Sequence, residues 1–102
     1  MEFYGKLFVG DGVADRAAQI KQKLLKNEFM PFVHVITLPL TDDGMLEIYP
    51  AYILRQELYR NMTVKVVGLA ADHSEACRVV QQIVEECMKS TGKVDLKGYL
   101  KF

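Results

Sequence analysis

Three short stretches carry side chains able to do chemistry at points where the chain turns: Asp11 in VGDGVAD, Asp42 and Asp43 in LTDDGM, and Asp72 with His73 in LAADHSE. Carboxylates gathered from separate loops hold a hard divalent cation such as Mg²⁺, and an imidazole beside a helix start contacts an anion or merely faces water. Asp11, Asp42, Asp72 and His73 are therefore the candidate ligand-binding residues. The bland account of the same letters is that Asp11 and Asp72 cap helices and Asp42-Asp43-Gly44 is a turn.

Gly10-Asp11-Gly12 raises a second possibility, since an apolar run that breaks into glycine and restarts as a helix is how many phosphate sites begin. A dinucleotide fingerprint needs a third small residue for helix packing and an acid at the end of the next strand for the ribose. Here the third position is Asp15, and Glu28 precedes the second apolar run. Asp11 also brings negative charge to the place a pyrophosphate would take, so the loop reads as a capped turn. No GK[ST] follows a second glycine, and neither GxSxG nor HExxH occurs.

His34, inside FVHVI, has no serine, cysteine or acid at a recognised catalytic spacing and reads as a hydrogen-bonded, partly buried side chain. Cys77 and Cys87 fall ten positions apart in one predicted helix, about 15 Å along its axis and beyond disulfide reach. They read as reduced, packed or half-packed thiols without zinc or thioredoxin-type spacing, and no cofactor is expected.

The elements that must position these residues follow from hydrophobic period. FYGKLFV (3–9) predicts a mostly buried strand, and residues 11–28 predict a helix with Val13, Ala17, Ile20 and Leu24 inward and a basic outer face. PFVHVITLPL (31–40) predicts a second strand. LEIYPAYILRQELYRN (46–61), with Pro50 where a first helical turn tolerates it, predicts a second helix. MTVKVVGLA (62–70) predicts the third strand. Residues 72–92 predict the clearest helix, capped by Asp72 with Glu75 three positions on and closed by Gly92. The tail, VDLKGYLKF, alternates with a period of two and predicts an edge strand, although Leu96, Tyr99 and Leu100 also suit a short helix.

The order βαβαβαβ implies one three-layer α/β domain over residues 1–102 with a mostly parallel sheet. It resembles a flavodoxin-like or Rossmann-like half, a likeness of fold that carries no activity with it. The alternative treats 45–53 as a strand and gives a ferredoxin-like α+β core.

Thirteen basic and thirteen acidic side chains cancel over 102 residues, half of them hydrophobic. No net field draws such a chain to nucleic acid or an anionic membrane, and the basic first helix reads as a solvated face. With no basic-apolar leader and no run of roughly 18 apolar residues, a cytoplasmic location is expected. On the predicted second helix Ala51, Leu54 and Leu58 make one apolar side, while Tyr49, Tyr52, Ile53, Gln56 and Tyr59 make another. A small sheet covers one side only. The expected function is therefore protein association: a homodimer, with room for a further protein partner, through that tyrosine-bearing side. The alternative is a small-ligand, phosphate or divalent-metal-dependent enzyme using the acidic loops.

Overall fold

The computed structural model describes residues 2–26, 28, 30, 32–39, 45–55, 64–93 and 95–100, with the backbone alone for 54, 55 and 97. Four strands form a single sheet in the order β1-β4-β2-β3: β1 (Glu2–Val9), β2 (His34–Thr37), β3 (Glu47–Pro50) and β4 (Lys65–Ala70). β1 pairs parallel with β4, whereas β2 runs antiparallel to both β4 and β3. The sheet is mixed, which corrects the mostly parallel arrangement expected from the sequence.

The correction comes from one segment. Residues 47–50 are a strand, followed by a 3₁₀ helix (Ala51–Arg55), where a continuous helix was expected. Leu46 and Ile48 pack against one core cluster and Tyr49 against the other, a period-two division that a helix cannot produce. Pro50 does not open a helix. It ends a strand at the sheet edge, where a missing N–H costs little, and Ala51 continues the contact by donating its N–H to the Val33 carbonyl at 2.8 Å. Pairing with β2 thus decides residues 47–50 in favour of a strand. The ferredoxin-like alternative had this strand right. Its element order is not the one seen, because the long helix follows β4 and the described chain then closes in a short helix rather than a fourth strand.

α1 (Ala17–Leu25) follows a 3₁₀ turn (Ala14–Arg16) and buries Ile20 and Leu24. These pack in a cluster with Val13, Val35, Val66 and Leu69. α2 (His73–Thr91) buries Ala76, Val79, Ile83 and Cys87 in a second cluster with Ile36, Val67 and Ala70. Neighbours on one strand, Val35 with Ile36 and Val66 with Val67, go to different clusters, so the central strands β2 and β4 send apolar side chains into both. The tail forms α3 (Leu96–Tyr99), capped by Asp95, with Leu96 and Leu100 buried in the second cluster. Tertiary burial of those two leucines replaces the edge strand that the alternation suggested.

α2 has the ends its sequence announces. Asp72 caps it through a bond from the Glu75 N–H, and Gly92 closes it at φ 72°, a left-handed conformation costly for any residue with a Cβ. No helix among the described residues is long and apolar enough to cross a membrane.

Candidate functional site

Because β1 and β4 are parallel neighbours, the loops that leave them emerge together. The Gly10 N–H donates to the Leu69 carbonyl at 2.9 Å and the Val13 N–H to the Gly10 carbonyl at 3.1 Å, which turns the chain toward α1. Asp11 is exposed and does not cap the helix: Val13 is the cap residue of the 3₁₀ turn and Arg16 that of α1, and no side chain bonds at either.

The polar centre of this junction is Glu75. One carboxylate oxygen accepts the Gly12 N–H at 2.9 Å and the other accepts the Ala71 N–H at 2.8 Å. A capping box normally returns its acid to the cap residue's own N–H; here the acid reaches one residue further back and also crosses to the β1 loop. A Cβ on Gly10 would overlap the Glu75 side chain. The glycines that resemble a phosphate cradle therefore make room for a carboxylate of the chain itself, and the Gly10, Gly12 and Val13 N–H groups are already engaged.

Asp72 and His73 stand beside this junction, both exposed, with one Asp72 oxygen occupied by the cap. Asp42 lies outside the described residues. The strand that leads toward it ends at the opposite edge of the sheet, where the Leu38 N–H donates to the Lys65 carbonyl. Among the described residues no group of three or more histidine, cysteine, aspartate or glutamate side chains is placed to hold a metal ion. A groove of about 320 Å³ does run along this edge, lined by Val9, Gly10, Asp11, Glu75, Arg78, Val79 and Gln82.

Two features escaped the sequence. Antiparallel β2 sets His34 opposite Ala70, at the end of β4, and so brings its ring to the start of α2. The His34 and His73 rings lie 6.2 Å apart, edge to face. Burial holds the His34 pKa below 6.5, the like charge of His73 lowers it further, and Asp72 partly opposes both. The residue is half-buried, and its Nδ1 is buried without a hydrogen-bond partner among the described residues. The second feature is a contact of 3.7 Å between His73 Nδ1 and Cys77 Sγ. Its signal was legible, since positions i and i+4 share a helix face.

Compared with known proteins, the chain matches no family model, no curated protein and no solved structure.

The expected interface residues are spread over new elements. Tyr49 is half-buried on β3 and packs against the chain's own core; Ile53 is half-buried on the 3₁₀ turn; Tyr52, beside it, is 44% exposed. Gln56 and Tyr59 lie outside the described residues. The helix with two apolar flanks is thus replaced, over its described part, by an edge strand that shares its apolar side chains between two faces. Met45, just before β3, is 60% exposed.

Proposed function

We propose that this chain acts through protein association, as a homodimer built on the outer edge of β3 and the turn that follows it, in a three-layer arrangement with α1 and α2 on opposite faces of the sheet. The supporting observation is the edge position of β3, whose apolar side chains are half-buried on both faces and whose ends are flanked by exposed Met45 and Tyr52. Edge strands are usually blunted by bulges, charge or proline. β1 follows that rule: its register with β4 breaks between Phe3 and Phe8, and Lys6 is exposed in the irregular part. β3 carries Glu47 at one end and Pro50 at the other, but its register with β2 is unbroken between them, and its outer edge at Ile48 and Tyr49 is what another strand would meet. Two copies related by a two-fold axis would add β3 to β3 antiparallel and continue the sheet.

Four residues of pairing cover little of the roughly 1,200 Å² that a stable interface needs. Met45, Tyr52 and Ile53 must supply the remainder, and these are the side chains whose removal should matter. Light scattering coupled to size exclusion tests the reading: a dimer at tens of micromolar, shifted toward monomer by Met45→Asp and by Tyr52→Ala, supports it. A monomer at that concentration overturns it.

The groove beside Asp11 and Arg78 favours a second reading, in which the loop edge takes a small ligand. Its volume sits near the lower bound of about 300 Å³ for such sites. Of the candidate residues Asp11 lines it, whereas Asp72 and His73 stand beside the junction and are not part of its lining. Divalent ions or small metabolites that raise the melting temperature would support it through linkage.

A further inference from the structure

α2 carries two cysteines in opposite circumstances. Cys87 is buried, and its Sγ donates to the Lys93 carbonyl at 3.3 Å. Cys77 is exposed, and its Sγ lies 3.7 Å from His73 Nδ1, one turn earlier on the same face. With the ring proton on Nε2, Nδ1 accepts the thiol hydrogen, which is the relation of a nucleophile to its base. The His34 ring stands edge to face with that of His73. A thiol, an imidazole and a second imidazole thus gather at an open helix start, while the other thiol of the helix is sealed in the core.

We propose that Cys77 is a thiol-exchange site, where a low-molecular-weight disulfide attaches to this chain. Cys77 Sγ attacks one sulfur of the disulfide R–S–S–R; a new S–S bond forms between Cys77 and that sulfur as the old S–S bond breaks. The thiol proton passes to His73 Nδ1 and from there to the departing thiolate, which leaves as R–SH. The oxidant is the incoming disulfide, and the balance is one disulfide consumed and one formed.

The size of the effect is bounded. A thiol in water, with a pKa of about 8.5, is already roughly 3% ionised near neutrality, so a base gains at most about thirty-fold. Part of that gain is lost because thiols that ionise more readily are weaker nucleophiles. Removing His73 should therefore slow exchange about three- to tenfold.

The test uses the folded chain with bis(2-hydroxyethyl) disulfide at neutral pH, following adduct formation at each cysteine by peptide mass spectrometry. The expected result is one reducible adduct on Cys77 and none on Cys87, with the two sites reacting alike once the chain is denatured. Cys77→Ser abolishes the adduct. His73→Ala and His73→Gln both slow it several-fold, with melting curves like that of the parent. Equal reaction at the two cysteines of the folded protein, or an unchanged rate in both well-folded His73 variants, overturns the proposal.

Discussion

Replacing Glu75 with alanine removes one carboxylate and the two hydrogen bonds that tie the β1 loop and the β4 loop to the start of α2. Hydrogen bonds to a charged group contribute about 1.5–3 kcal/mol each when they are shielded from water. The Ala71 bond is half-buried and takes that range, whereas the exposed Gly12 N–H regains water and its bond counts for less. The charge also favours the helix N-terminus by about 0.3–1 kcal/mol. The expected loss is about 2–3 kcal/mol, equivalent to a fall in melting temperature on the order of 10 °C for a domain of this size. Glu75→Gln keeps the volume and one acceptor but turns an amide N–H toward the second donor, so it should fall between parent and alanine. Urea denaturation followed by circular dichroism measures all three. Inorganic phosphate should leave the parent's stability unchanged, because the donors it would need are satisfied. An alanine variant within about 0.5 kcal/mol of the parent, or a glutamine variant no better than alanine, would refute the bridging role given to this carboxylate.

Two other perturbations follow. In the unfolded chain His34 takes up a proton as pH falls through about 6.5, but in the fold it resists protonation to lower pH; stability present above that value is lost as pH falls toward the folded pKa. Unfolding free energies at neutral pH and near pH 5 should show this loss, and His34→Leu should remove it; an unchanged slope, or a His34 titration at or above 6.5 by NMR, would contradict the burial argument. Thr37 is fully buried on β2 and its hydroxyl has no partner among the described residues, so the isosteric Thr37→Val should stabilise the fold by about 1 kcal/mol in the same urea assay. A destabilised valine variant would mean that the hydroxyl is bonded after all.

The parts of the fold legible in the sequence are those whose signals are local. α2 announces itself through Asp72, its apolar stripe and Gly92, which keep their expected roles, whereas the Glu75 carboxylate leaves the capping box to bridge two loops. β1 and β4 are dense enough in branched and aromatic residues to stand without knowledge of their neighbours. Residues 46–50 were misread because Leu46, Ile48 and Tyr49 suit a helix wheel as well as an alternating strand, and the choice rests on a partner strand that local propensity cannot see. That error carried the direction of β2 with it, and with β2 the meeting of His34 and His73. Leu96 and Leu100 were ambiguous for the same reason: burial against α2, not alternation, decides the tail. At the site, Asp72 as cap was readable from spacing, whereas the reach of Glu75 to Gly12 depends on β1 and β4 lying side by side. The His73–Cys77 spacing was visible and was passed over.

The account stands on association through β3, and amide hydrogen exchange at two protein concentrations tests it most directly. Backbone amides of residues 47–50 should exchange markedly more slowly at high concentration than at low, with those of β1 and α2 indifferent to dilution. Exchange in β3 that ignores concentration would contradict it.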